Sequence, residues 1–156
     1  MKIIVNRNII KRLLYVILFI CFTNVSTAQI AIVVNKNNPI DDISIAELKR
    51  IYLAKKTIFS RGNNIVLAEY ADLKEEFYDI LLDWSLIKYK KHWMKLIFSG
   101  ESYGAPKEFD RTDDLKEFIS KNVNAIAFIA LSDADDNVKI LTVDGKNPWS
   151  KDYPFK

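Results

Sequence analysis

The side chains that most often carry catalysis are few in this sequence. His92 is the only histidine, so a histidine metal site or a serine–histidine triad lacks the partners it would need. Acidic residues occur in adjacent pairs, but neighbouring helical positions point about 100° apart and cannot converge on one bond. Most of these pairs lie at predicted helix starts, where the helix dipole favours negative charge. We therefore predict no catalytic residue, no metal and no cofactor, and a binding protein rather than an enzyme. The pairs are Asp41–Asp42, Glu75–Glu76, Asp113–Asp114 and Asp135–Asp136.

Sequence signatures of anion binding are also missing. The chain has four glycines, and they are too dispersed to form a phosphate-cradling loop. Lys88, Lys91 and Lys95 do share one face of a predicted helix. That face could dock to an anionic surface, or it could simply be solvated.

The first 28 residues have the pattern of an export signal. Four basic residues lie among the first twelve, and no acidic residue precedes Asp41. An apolar run of ten residues follows at 13–22, about half the roughly 20 needed to span a bilayer. Ser26 and Ala28 then supply small side chains at the positions that signal peptidase requires. We expect a signal peptide at residues 1–28, cleaved after Ala28, and a periplasmic or secreted domain at residues 29–156.

Removal of this segment changes the charge of the protein. The 156-residue chain has 23 basic and 20 acidic side chains, a formal net charge of +3. Residues 1–28 contain four of the basic side chains and none of the acidic ones, so the exported domain would have a net charge of −1. It would also lose Cys21, the only cysteine, and would be held together by its core alone. Without excess positive charge, a nucleic-acid partner is not expected.

The remaining residues predict a single α/β domain. Apolar runs at 30–34, 65–68, 125–131 and 138–143 indicate strands, of which the first is typical of a strand buried on both faces. Four amphipathic helices lie between them, with predicted caps at Ser44, Asp72, Ser85 and either Thr112 or Asp113. Ser44 and Glu47 have the spacing of a capping box. The order β-α-β-α-α-α-β-β predicts helices packed on a small central sheet.

Four segments in order resemble one known family. Residues 30–39 form one of them, and residues 45–55 resemble its "LxxELxxIFLGK" helix. Residues 89–100, with Pro106 after them, resemble "YWxxLIFSG…PP", and residues 124–128 resemble "GAIGY". Together they resemble the short, exported, single-domain branch of the phosphate-type substrate-binding proteins of ABC transporters.

This resemblance implies one lobe of the type 2 periplasmic-binding fold, a small mixed sheet flanked by helices, corresponding to the second lobe only. Two-lobed relatives carry an Arg-Ser-Asp-Gly-Ser-Gly-Thr type turn that holds an anion at a helix N-terminus. Residues 70–76 fall at this turn, and only Asp72 matches. Nearby Glu69, Glu75 and Glu76 add negative charge that would repel phosphate. Two glycines of the family pattern become Ala54 and Ala127, which we interpret as structural changes.

Two functions remain open at this point. The first is an exported solute-binding-like domain with weakened or lost anion binding, whose partners would be a phosphate-like anion and the membrane component of an ABC transporter. The second is a protein-interaction module of the cell envelope, favoured by the lost anion turn and by three Trp, seven Tyr and nine Phe. For a ligand, we expect contacts near predicted strand ends and helix starts, from Asn35, Tyr70, Asp72, Lys74, Ser99 and Gly100.

Overall fold

The computed structural model describes residues 29–59, 64–101 and 104–156. The expected signal peptide therefore lies outside the described residues. The described helices are α1 (Ile45–Tyr52), α2 (Lys74–Leu82), α3 (Leu86–Phe98) and α4 (Thr112–Lys121). The described strands are β1 (Ile30–Val34), β2 (Asp42–Ile43), β3 (Val66–Tyr70), β4 (Lys107–Phe109), β5 (Ala125–Ala130), β6 (Lys139–Ile140) and β7 (Thr142–Val143).

The central sheet contains five strands in the order β4-β3-β5-β1-β6. β3 runs parallel to both β4 and β5, whereas β1 runs antiparallel to β5 and β6. β2 and β7 form a separate two-stranded parallel sheet. The sheet is mixed and flanked by helices, as predicted, and it places the carboxyl ends of β3, β4 and β5 at the same edge.

The neighbouring strands β1 and β5 separate two hydrophobic cores. Every residue of β1 and of β5 is buried, which confirms the prediction for β1. Alternate residues such as Ile32 and Phe128 face the larger core, built with α1, α2 and α3. Their neighbours, such as Val33 and Ala127, face a smaller core built with α4. Strands covered by helices on both faces read as continuous apolar runs because neither face meets water.

The helix starts confirm two of the predicted caps and correct two others. Ser44 Oγ accepts a hydrogen bond from Glu47 N at 3.1 Å, and Ser85 Oγ accepts one from Lys88 N. The reciprocal half of the capping box is absent, because the Glu47 carboxylate accepts a hydrogen bond from Lys56 instead. Asp72 does not cap α2, since it lies within a 3₁₀ turn, Ala71–Leu73, that precedes this helix. Neither Thr112 nor Asp113 caps α4, which begins at Thr112 without a side-chain cap.

The predicted strand at residues 138–143 is wrong as a single element. It divides into β6, which pairs with β1, and β7, which pairs with β2 in the other sheet. Leu141, between the two, is buried, and its N–H donates to Ile32 O at 2.9 Å. The sequence also did not reveal β2 and β4, because strands of two or three residues are too short to show a periodic pattern.

Two helices end in the same backbone motif with different residues at its critical position. After α1, Ala54 N donates to Ile51 O and Lys55 N donates to Arg50 O, the two hydrogen bonds of a Schellman motif. After α3, Gly100 N and Glu101 N make the equivalent bonds. The residue at this position has a left-handed backbone in both motifs, with φ of 56° at Ala54 and 73° at Gly100. A side chain there costs about 1–2 kcal/mol, so Ala54 is strained.

Ala54→Gly should stabilise the protein by about 1 kcal/mol, because it relieves the left-handed strain at some cost in unfolded-chain entropy. Gly100→Ala should have the opposite effect of similar size. Urea unfolding at constant pH would measure both changes. Ala46→Gly, in the first turn of α1, is the control: there glycine lowers stability by about 1 kcal/mol or less. A destabilising effect of Ala54→Gly would contradict the assigned motif.

Candidate functional site

A cavity lies at the carboxyl edge of the three parallel strands. Its volume is about 540 Å³. Tyr70 is the last residue of β3, Asp110 comes directly after β4, and Ser132 is the second residue after β5. Ligands of open α/β sheets bind outside the carboxyl ends of the strands, which makes this cavity the candidate site. Its lining consists of Tyr70, Asp110, Arg111, Thr112, Asp113, Lys116, Ser132, Asp133, Ala134 and Asp135.

A second cavity of about 470 Å³ lies near the starts of β3 and β4, at the other end of these strands. Its lining is mostly apolar and includes Ile51, Val66 and Phe118. Of its charged side chains, Lys56 forms a salt bridge with Glu47. This cavity therefore does not lie at the carboxyl ends of the strands, where ligands of open α/β sheets bind.

The candidate cavity is acidic. Four aspartates line it, at positions 110, 113, 133 and 135, against the two cations Arg111 and Lys116. Thr112 Oγ1 donates to Asp133 Oδ2 at 3.0 Å, which joins the start of α4 to the turn after β5. Carboxylates at the first turn of a helix occupy the place where an anion would otherwise bind.

Lys116 has no donor left for a ligand. It is only 9% exposed, and its ammonium contacts Asp135 Oδ2 at 2.8 Å, Asp133 O at 3.1 Å and Asp113 Oδ1 at 3.2 Å. A lysine has three N–H donors, and three acceptors surround this one. The hydrogen bond to Asp135 raises the pKa of Lys116, and the same bond lowers the pKa of Asp135. Arg111 remains as the only cation of the lining whose charge is not buried among carboxylates.

The turn predicted from the family resemblance is present, but its polar groups are used internally. Residues 70–76 leave β3, pass through the 3₁₀ turn and enter α2. Tyr70 Oη donates to Asp72 Oδ2 at 3.0 Å. The side chain of Lys74 turns inward, where it is 5% exposed and paired with Glu108 and with Glu69 Oε2 at 3.5 Å. The amino end of α2 thus carries an internal ion pair.

Glu69 is the buried centre of this arrangement. It is 3% exposed. Its Oε1 accepts a hydrogen bond from Tyr78 Oη and a second one from Tyr89 Oη, the latter at 3.0 Å. Burial raises the pKa of the Glu69 carboxyl, and the hydrogen bond from Tyr78 and the charge of Lys74 oppose this rise. Since Tyr78 belongs to α2 and Tyr89 to α3, one carboxylate ties both helices to the end of β3.

The other three predicted contact residues lie elsewhere. Asn35 follows β1 at the opposite edge of the sheet, where its Nδ2 donates to Ile119 O at 2.8 Å and Ser120 O at 2.7 Å. Ser99 and Gly100 lie at the carboxyl end of α3, not at a helix start, and Ser99 Oγ donates to Glu101 at 2.8 Å. The structure therefore groups Tyr70, Asp72 and Lys74 at one turn and separates the remaining three from them.

Sequence reasoning missed most of the cavity lining. The pair Asp135–Asp136 lies in the loop after β5, where Asp135 forms part of the lining. A sequence signal was available: Asp133, Asp135 and Asp136 lie within six residues after a fully buried strand, where the carboxyl edge of a sheet must come. Lys116 gave no signal, because only the fold brings it to Asp135. His92, the only histidine, is half-buried, with Nε2 3.2 Å from Leu53 O.

Within the described ranges, no three histidine, aspartate or glutamate side chains converge as metal ligands. Among the same described residues, no helix has the length and apolarity needed to cross a bilayer.

Comparison with solved structures identifies the fold class. The chain is similar to a phosphate ABC transporter substrate-binding protein from Clostridium perfringens, solved with bound phosphate, at 25% identity and a TM-score of 0.62. It is also similar to an ABC-type phosphate transport receptor from Vibrio cholerae (18%, 0.62) and to PstS from Borrelia burgdorferi (14%, 0.61). Each match covers 77% of this chain. The chain has the fold of these phosphate-binding proteins, which confirms the fold expected from the sequence.

The same comparisons limit the extent of the likeness. The matches cover 46%, 48% and 49% of the three solved chains, so this chain spans about half their length. No family model matches the sequence, and no curated protein matches it.

Lys74→Met should destabilise the protein by about 3 kcal/mol, because it leaves Glu69 buried without its cation. The loss should be small below the ordinary Glu pKa of 4.5, where Glu69 is protonated in both the folded and unfolded states. It should grow as the pH rises through the raised pKa of the folded state. Urea unfolding of the unchanged protein and of Lys74→Met, repeated from below pH 4.5 upward, would measure this loss of stability.

Glu108→Gln is the matched control for this prediction. It removes the other carboxylate that Lys74 contacts, but Glu108 is half-exposed, so its loss should cost no more than about 1 kcal/mol. The double variant Glu69→Gln/Lys74→Met should be more stable than Lys74→Met alone, since no buried charge remains. If the double variant lost as much stability as Lys74→Met alone, the role assigned to Glu69 would be contradicted.

Proposed function

We propose that this chain is an exported solute-binding-like domain, a single lobe of the phosphate-receptor fold, that has lost affinity for phosphate. The observation that carries this proposal is that Lys116, which lines the candidate cavity, is already paired with three acceptors. Phosphate would meet four aspartates there and no free ammonium, and Arg111 would be the only exposed cation of the lining.

The predicted anion turn supports the same conclusion independently. Its only lysine is paired with Glu69 and Glu108, and Glu75 and Glu76 occupy the first turn of α2. The charge at this turn therefore also opposes tight anion binding. Of the six predicted contact residues, Tyr70 is the one that lines the candidate cavity.

Calorimetric titration of the purified protein with inorganic phosphate should give no binding heat up to millimolar concentration. Asp113→Asn/Asp135→Asn should give measurable millimolar binding, because it removes two of the carboxylates that occupy Lys116. Asp136→Asn is the control, since Asp136 is exposed and is not part of the lining.

Saturable phosphate binding by the unchanged protein would contradict the lost affinity. If the double variant folds, as its melting temperature would report, but gains no binding, then the anion site of this fold did not lie at Lys116.

We propose further that the domain reaches the periplasm or the extracellular medium by a signal peptide at residues 1–28. The four N-terminal basic residues, the short apolar run and the small residues before Gln29 support this. The intact mass of protein recovered after export should correspond to residues 29–156. A mass that retains residues 1–28 would contradict cleavage after Ala28.

The membrane component of an ABC transporter is a partner consistent with this function, because two of the similar solved structures are named as an ABC transporter substrate-binding protein and an ABC-type transport receptor. The alternative is an envelope-protein interaction module with no small-molecule ligand. Absence of any ligand for the cavity, together with capture of one envelope protein by the unchanged domain, would favour that alternative.

A further inference from the structure

The exposed face of α3 has an unusual composition. Eight residues of this helix are exposed, and each is either a lysine or a large apolar residue, with no acidic residue among them. The apolar members are Ile87, Met94, Ile97 and Phe98, and the lysines are Lys88, Lys90, Lys91 and Lys95. The inward face, which includes Tyr89 and Trp93, packs in the larger core. Core packing therefore does not account for the apolar residues on the outer face.

The apolar residues form a stripe along the helix axis. Ile87, Met94 and Phe98 are seven and four residues apart, so at about 100° per residue they lie within roughly 40° of one another around the helix. They are 67%, 52% and 87% exposed. Lys90 lies to one side of the stripe, and Lys91, Lys95 and Lys88 lie progressively further to the other side. The arrangement is an apolar ridge bordered by ammonium groups.

The charge of this face is not neutralised within the described part of the protein. Lys88 lies over the Trp84 ring, with its Nζ 4.4 Å from the ring centroid, and keeps its charge. None of the salt bridges between described residues includes a lysine of α3. The nearest acids along the chain, Asp83 and Glu101, lie beyond the two ends of the helix. Four positive charges thus share a surface with the most exposed aromatic side chain of the helix.

We propose that this face of α3 binds an anionic lipid membrane. A membrane interface receives both components: apolar side chains enter the boundary between headgroups and acyl chains, and flanking lysines extend to the headgroup phosphates. Each lysine near an anionic surface strengthens binding about fivefold. The domain lies on the membrane surface through α3 and does not cross it. No residue of α3 lines the acidic cavity, so this proposal is independent of the proposed function.

Co-sedimentation with lipid vesicles tests the proposal. The unchanged protein should sediment with vesicles of equimolar phosphatidylcholine and phosphatidylglycerol, and much less with phosphatidylcholine alone. Added sodium chloride should weaken the binding, because salt screens the lysines. Lys91→Glu/Lys95→Glu should weaken it at least about 25-fold, since two favourable charges become repulsive. Phe98→Ser should weaken it about tenfold through lost apolar contact.

Two control variants separate this face from general properties of the protein. Lys36→Glu/Lys151→Glu makes the same change of net charge at exposed sites outside α3, and Trp149→Ser removes another exposed aromatic residue. Both should bind vesicles as the unchanged protein does. All variants are prepared in the same form after export, and their melting temperatures verify folding.

Three results would overturn the proposal. One is the absence of sedimentation with the anionic vesicles. Another is an equal loss of binding in the two charge-reversed variants, which would show that only net charge matters. The third is a dimer in sedimentation velocity that Phe98→Ser converts to monomer, because a second copy of the chain would then cover the face.

Discussion

The pairing of β1 with β5 is the constraint on which the rest of the molecule depends. The two strands are antiparallel and in register over five residue pairs, from Ile30 with Ala130 to Val34 with Ile126, and every residue of both is buried. Because successive side chains point to opposite faces, this pair contributes to both cores at once. Three helices cover one face and one helix covers the other, so the sheet itself can offer polar groups to a ligand only where its strands end.

At the carboxyl ends of the parallel strands, the fold agrees with the family resemblance, but the charged residues differ from those of the family pattern. Lys74 is buried between two glutamates, and Lys116 among aspartates and a backbone carbonyl. A lysine excluded from water needs such partners, since its charge would otherwise be costly. The carboxylates that make each buried lysine tolerable also take up its N–H donors. The proposed loss of phosphate affinity rests on this use of the ammonium groups.

Charge is distributed unevenly over a domain that would be almost neutral as a whole. Four aspartates surround the cavity, and the exposed face of α3 carries four lysines and no acid. A net charge this close to zero, taken alone, would predict no electrostatic preference for charged partners. The separation of the two signs instead gives the domain one acidic concave site and one basic, apolar convex face, which are suited to different partners.

The sequence by itself determined the elements whose pattern is local. The buried runs of β1 and β5, the amphipathic helices and the serine caps at Ser44 and Ser85 follow from residue types at close spacing. The family resemblance likewise located the turn at residues 70–76. Only the tertiary structure decided what depends on distant residues: the division of residues 138–143 between two sheets, the inward turn of Lys74 toward Glu108, and the position of Lys116 beside Asp135. Hydrophobic periodicity records which face of an element is buried, but it contains no information on which charged group from another element will lie opposite, and that pairing determines what the site can bind.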